Sequence, residues 1–272
     1  MKKINLINKD IKEKKFKKLF KRFYREFLRK IFKLQSSKNK VKILEEKWDN
    51  LIVLDACRYD YFKEIYSNYL KGKLEKKLSL GTNTKEWLGK NFNKKTDIVY
   101  ISSNPFVNNL KRKKEPWNKN FYKIISLWNT KWDENLDSVH PKEVVKIAND
   151  IDKKYPNQRK IIHFMQPHLP YLNKSKEFNK KIFEKSREGK LNKKDIEEMK
   201  EAYRENLKIV LKELKNLKLK GKTIVTADHG ELFGEHGLYL HHAGIYFKEL
   251  VEIPWFVMKK SKKEKIVDKI KI

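Results

Sequence analysis

The chain has 272 residues, of which 39% are hydrophobic and 37% charged, and its 66 Lys and Arg outnumber 35 Asp and Glu to give a net charge of +31. That length supports one large α/β domain or two small ones around a sizeable core, and 12% aromatics argue against wholesale disorder. A single cysteine, Cys57, excludes an intrachain disulfide, and no apolar run reaches the ~20 residues needed to cross a bilayer.

Residues 1–47 form a basic segment distinct from the rest of the chain. Phe16, Leu19, Phe20, Phe23, Phe27, Ile31 and Phe32 recur at spacings of three and four among Lys and Arg. This predicts a basic amphipathic N-terminal helix. Three roles fit it: packing on the body of the protein or a partner, lying on an anionic membrane surface, or holding nucleic acid, the least favoured. The lone thiol and the lack of an apolar leader place the chain in the cytoplasm, or peripheral to a membrane. Residues 35–40 read as a linker.

From residue 48 to 272 the pattern is that of one α/β domain. Short apolar runs at 51–54, 98–101, 160–165, 223–226 and 253–258 read as strands, with helical stretches at 141–152 and 194–217 between them. Continuous apolar strands alternating with helices predict a three-layer α/β/α sandwich with a mostly parallel central sheet. Residues 103–140 are irregular and hold Trp117, Trp128 and Trp132; they read as a cap over a site or as a surface excursion anchored by aromatics.

Three of these runs end in residues suited to metal or anion binding: Asp55, His168, and the pair Asp228-His229. Open parallel sheets place their sites at the carboxyl ends of strands, so these residues are expected to converge. A carboxylate beside an imidazole suits Zn²⁺, Mn²⁺ or similar ions. Gly230 lets the backbone turn sharply, and Glu231 is placed to support a ligand. Asp228 alternatively serves as a helix N-cap, and His229 as a hydrogen-bonded surface histidine.

The run from Thr226 to Gly237, with Asp-His-Gly-Glu followed by Gly-Glu-His-Gly, resembles the late metal motif of sulfatases and their relatives in the alkaline phosphatase superfamily. Leu54-Asp55-Ala56-Cys57-Arg58-Tyr59-Asp60 is similar to that superfamily's first metal motif, and Pro167-His168-Leu169-Pro170-Tyr171 to the sulfatase Pro-His-x-Pro-Tyr segment. Glu249 to Trp255 resembles the strand after the last metal region, and the four segments keep the family's order.

The resemblance implies an alkaline-phosphatase-like fold and a metal-dependent hydrolase or transferase of phosphate or sulfate esters. One or two divalent ions (Zn, Mn, Mg or Ca) would be held by Asp55, Asp228, His229 and a late histidine, His241 ahead of His242. The nucleophile would lie at a helix start within residues 79–88, at Thr84 first and Thr82 second, with Asn83, Lys85 and His168 touching the anionic substrate. The sulfatase Cys-x-Pro-x-Arg signature is missing, so a Thr nucleophile and phosphoryl chemistry compete with sulfate hydrolysis. His236 is read as a ligand or structural, His163 as structural, His140 as a loop residue, Cys57 as a small buried residue, and Arg58 as the partner of Asp60. A non-catalytic protein of this fold holding polyanions, at a membrane surface or on nucleic acid, is the alternative.

Overall fold

The computed structural model describes residues 19–20, 22–32, 40–108 and 115–259. Phe16, most of the expected linker at 35–40 and the last residues of the chain lie outside them. Helix α1 covers residues 22–32. Then come β1 (Asn50–Leu54), α2 (Tyr59–Ile65), β2 (Gly72–Leu78), α3 (Thr84–Asn91), β3 (Val99–Ser102), β4 (Lys123–Ser126), α4 (Leu127–Thr130) and α5 (Pro141–Lys154). The second half holds β5 (Lys160–Phe164), α6 (Lys176–Glu188), α7 (Lys193–Leu214), β6 (Thr223–Thr226), β7 (Leu232–Phe233), β8 (Tyr239–Leu240), α8 (Lys248–Val251) and β9 (Glu252–Met258).

Seven strands form one sheet in the order β2-β9-β6-β1-β5-β3-β4. The run β6, β1, β5, β3, β4 pairs in parallel, and β9 is antiparallel to both β6 and β2. All of β1 and β5 is buried, as strands covered on both faces must be. The register shows which helix covers which face. Phe256 stands level with Val225, Ile52 and Ile162 across β9, β6, β1 and β5. Phe62 of α2 packs on Phe256, and α7 packs on both α2 and α5, so these three helices share that face. Tyr100 is level with Ile161, on the same face as His163 and opposite to Ile162. Trp87 and Phe92, in and just after α3, meet His163 and Tyr100 there. The expected three layers are present.

Two strands of the seven-stranded sheet, and both strands of the short β7–β8 hairpin, are not visible in the hydrophobic pattern. Strand β2 (GKLEKKL) lies mostly exposed at the sheet edge, where charged side chains discourage pairing with other chains. Strand β4 is the other edge and falls in the irregular 103–140 region, where Trp117, Trp128 and Trp132 pack on the core. The predicted helix at 194–217 ends at Leu214 and opens with a capping box between Asn192 and Asp195.

A second, smaller apolar cluster joins Leu28 of α1 to Leu232, Leu238, Ile245 and Leu250. Among the described residues no helix is long and apolar enough to cross a membrane.

Candidate metal and ester site

The site lies where β1, β3, β5 and β6 end. Asp55 follows β1 directly, and its N–H donates to Phe164 O at 3.1 Å, so the chain leaves the sheet with the carboxylate buried. Asp228 comes two residues after β6. Its Oδ1 accepts from Ala56 N at 3.1 Å and from His229 N at 3.0 Å, which ties the two strand ends together. Tyr203 of α7 braces the same turn from below: its hydroxyl donates to Ala56 O at 2.7 Å and accepts from Arg58 N at 2.9 Å. Gly230 allows the chain to turn away, because a Cβ there would sit 2.0 Å from Glu249 O.

His229 is fully buried, with Nδ1 2.8 Å from Gly230 O. A carbonyl accepts only, so Nδ1 carries the proton and Nε2 presents a lone pair. That nitrogen lies 3.3 Å from Asp228 Oδ2, 3.6 Å from Asp55 Oδ1 and 3.4 Å from Thr84 Oγ1. Burial and the neighbouring His241 press the His229 pKa well below its ordinary value, which keeps the ring neutral. The Asp55 carboxyl is driven well above the usual carboxylate range, first by burial and then by Asp228.

Thr84 is the first residue of α3, and Asn83 caps that helix by accepting from Glu86 N at 2.9 Å. The helix start therefore carries the Thr84 hydroxyl into the carboxylate and imidazole cluster. The other candidates on this stretch are engaged elsewhere. The Thr82 hydroxyl lies 2.8 Å from a Glu86 carboxylate oxygen and 2.9 Å from His242 O, which compete for its one proton, and accepts from Gly244 N at 3.0 Å, so it is consumed in joining α3 to the 242–244 turn. Lys85 pairs with Glu115 at 2.7 Å. Asn83 spends its side-chain oxygen on the cap. Of the two threonines, Thr84 is the one whose hydroxyl lies against the cluster.

Two residues passed over in the sequence join the site. Asn104, two residues past β3, donates to Asp55 Oδ2 and lies 3.5 Å from Thr84 Oγ1. His163, read from sequence as structural, holds Nδ1 2.7 Å from the Tyr100 hydroxyl and points Nε2 at Asp55 Oδ2, 3.7 Å away, and Asp228 Oδ2, 3.9 Å away. Burial brings the His163 pKa down to about 4.

A second group adjoins the first. The β7–β8 hairpin pairs Leu232 with Leu240, which brings Glu231 opposite His241. His241 Nδ1 lies 3.3 Å from Glu231 Oε1, and His168 Nε2 3.9 Å from Glu231 Oε2. The His229 and His241 rings are 4.4 Å apart between centroids, so the groups are continuous. Burial works against a charged His241, yet Glu231 raises its pKa above the ordinary value. His242 faces Arg25 and Arg29 instead, and burial with the Arg25 charge brings its pKa down to about 4. His236 stacks on Phe247 and contacts Glu249 at 3.2 Å, outside both groups. Arg58 pairs with Asp60 at 2.7 Å, as expected, and also with Glu235 at 2.6 Å. Cys57 is buried.

The donor set fits a cation. Asp55, His163 and Asp228 offer one ligand atom each within 4.8 Å of one another, and so do His168, Glu231 and His241. Asp228 Oδ2 and His163 Nε2 are fully buried and have no hydrogen-bond partner. Buried polar atoms left in that state are expensive unless something charged sits between them. Oxygen and nitrogen donors without a thiolate suit Zn²⁺, Mn²⁺ or harder divalent ions.

No protein-family model matches the chain, and no curated protein matches it by sequence. Solved structures do. The C-terminal periplasmic domain of EptC from Escherichia coli, in complex with Zn, aligns at 12% identity over 81% of this chain and 74% of its own, with a TM-score of 0.50. The integral membrane phosphoethanolamine transferase EptA from Neisseria meningitidis aligns at 14% identity over 82% of this chain, with a TM-score of 0.46. This chain spans 49% of the length of that protein. BT1596, a 2-O glycosaminoglycan sulfatase, aligns at 13% identity over 79% of this chain and 65% of its own, with a TM-score of 0.45. The sheet and helices of this chain share the fold of the EptC domain. A protein in the alkaline phosphatase superfamily from Vibrio parahaemolyticus also aligns, at 13% identity over 79% of this chain and 61% of its own, with a TM-score of 0.47.

Proposed function

We propose that this chain is a divalent-metal-dependent hydrolase or transferase of phosphate or sulfate esters, with Thr84 as its nucleophile. One observation carries the assignment. A buried hydroxyl at the first turn of a helix lies 3.4 Å from a neutral imidazole nitrogen, beside the buried carboxyl groups of Asp55 and Asp228, which no Lys or Arg among the described residues pairs. A purely structural threonine at that position gives no reason for Asp55 and Asp228 to be buried together.

Asp55, Thr84, Asp228 and His229 would hold the metal, with His163 Nε2 facing the same two carboxyl groups as a further donor, and His168, Glu231 and His241 form a second group able to hold either another ion or the substrate. When bound, the cation would lower the pKa of the Thr84 hydroxyl and offset charge on the ester oxygens. Zinc is supported by the mixed carboxylate and imidazole donors and by the zinc complex of the EptC domain.

The residues of the chain supply the rest. Thr84 Oγ1, its proton passed to solvent, forms the bond to phosphorus or sulfur while the bond to the leaving oxygen breaks. Asn104 fixes Asp55 and stands within reach of Thr84, holding the hydroxyl in line with the carboxylates. Where the second group holds the substrate rather than an ion, His241, 3.3 Å from Glu231, donates a proton to the departing oxygen. Water or an acceptor hydroxyl then takes the group from Thr84.

The test is turnover of phosphomonoesters, phosphodiesters and sulfate esters with added Zn²⁺, Mn²⁺, Mg²⁺ or Ca²⁺, on wild type, Thr84→Ser and Thr84→Ala. Loss of the nucleophile is expected to lower kcat by at least about 10³-fold, with partial recovery in Thr84→Ser. Failure of every ester with every metal, or equal turnover in Thr84→Ala, contradicts the assignment.

A further inference from the structure

Helix α1 has more apolar surface than the other described residues cover. At about 100° per residue, Phe23, Phe27 and Ile31 fill an arc of roughly 80°, and Tyr24, Leu28 and Phe32 extend it by about another 100°. The second part is docked: Leu28 is buried with Leu232 and Ile245, and Phe32 meets Phe247 edge-on at 5.2 Å. The first part is bare, with Phe23 71% and Phe27 51% exposed. Such a contiguous apolar strip on a charged protein calls for an occupant.

Charge decides which. Arg22 and Lys30 flank the strip beside Glu26, Arg25 and Arg29 face the 242–243 turn, and residues 1–32 together carry 13 Lys and Arg against 3 Asp and Glu. Two copies meeting on this strip would bring those cations together. Nucleic acid would satisfy the cations but not Leu19 or Ile31. An anionic bilayer takes both: lysines and arginines meet headgroup phosphates while the apolar side chains enter the acyl boundary.

We propose that the bare face of α1 seats the protein on an anionic lipid bilayer, and that this puts the surface beside the site. The inner face of α1 is fastened to the segment that carries His241. Arg29 Nε donates to Ala243 O at 2.9 Å, and Phe32 packs against Tyr246 and Phe247. Tyr246 is in turn hydrogen-bonded to Glu86 of α3, the helix that begins with Thr84. The docked helix therefore holds the rim of the site, and a lipid-borne or surface-bound ester would meet it without leaving the membrane.

Vesicle flotation tests this with the full chain, independently of metal and of Thr84. Binding is expected to vesicles of phosphatidylcholine with 30 mol% phosphatidylglycerol and not to phosphatidylcholine alone. Each cation near the surface contributes roughly a fivefold factor, so raising NaCl from about 0.1 to 0.5 M should weaken binding at least tenfold. Phe23→Ser with Phe27→Ser changes only exposed side chains; it should leave Tm unaltered and weaken binding by at least about 30-fold. An environment-sensitive dye on Phe27→Cys, which reacts selectively because Cys57 is buried, should shift to the blue when anionic vesicles are added. Equal binding of the double variant, equal binding to neutral vesicles, or no binding at all overturns the proposal. So does a dimer that the double variant abolishes, or DNA binding that depends on Phe23 and Phe27.

Discussion

Replacing Asp228 by asparagine should move the metal-free and metal-loaded proteins in opposite directions. In the metal-free protein Oδ1 accepts two backbone N–H bonds, from Ala56 and His229, while Oδ2 has no partner. Asparagine keeps Oδ1 and both bonds, and places an N–H donor where the unpartnered oxygen lies. It also removes the charge facing Asp55, whose ligand oxygen lies within 4.8 Å. Two unit charges at that separation repel by about 3.5 kcal/mol at an effective dielectric of ~20. Part of this is already relieved, because the Asp55 carboxyl is pushed toward its neutral form. The metal-free variant should therefore gain about 1–3 kcal/mol of stability. With zinc at a hundredfold excess over Kd, wild type should gain about 2.7 kcal/mol, and the variant should lose most of that increment. Urea unfolding at pH 7, in chelator and in buffered zinc, measures both. A metal-free variant less stable than wild type, or an undiminished zinc increment, refutes the reasoning.

The site is also braced from outside. Tyr203→Phe removes one hydroxyl and strands two buried backbone groups, Ala56 C=O and Arg58 N–H. Denaturant unfolding should show a loss of about 2–4 kcal/mol, together with weaker zinc binding as the Asp55 turn loosens. Glu86 gives a pH signature. Burial opposes its charge, but hydrogen bonds from Lys90, Tyr246 and Thr82 bring its pKa down to about 2 from 4.5. A carboxylate with a depressed pKa contributes stability that is present above its unfolded pKa and lost as pH falls through the folded one. Wild type should exceed Glu86→Gln by about 3 kcal/mol at pH 6, and the gap should close between about pH 4.5 and 2. A gap that stays constant over that window contradicts the assignment.

Asp55, Asp228 and His229 are legible in the sequence because each comes after a buried apolar run, and the chain direction of parallel strands gathers such ends on one edge. Asn104 obeys the same rule after β3, but an asparagine in a lysine-rich irregular stretch carries no distinguishing pattern. His163 sits inside β5, where alternation sends it to the face of the sheet under α3. Only the stagger of neighbouring strands shows that this row ends beside Asp55. Thr82 and Thr84 cannot be separated by spacing; the difference is that Thr82 has a neighbour, the 242–244 turn, contributed from far along the chain. Strand β2 is hidden for a related reason. Its pairing with β9 is backbone chemistry, and its side chains face solvent.

Anomalous X-ray scattering from crystals soaked in zinc tests the metal centre most directly. A zinc peak is expected in coordination distance of Asp55, Asp228 and His229, with Thr84 Oγ1 beside it, and its loss is expected in Asp228→Asn. Full zinc occupancy found only elsewhere, for example at His236 and Glu249, with nothing between Asp55 and Asp228, would contradict the assignment.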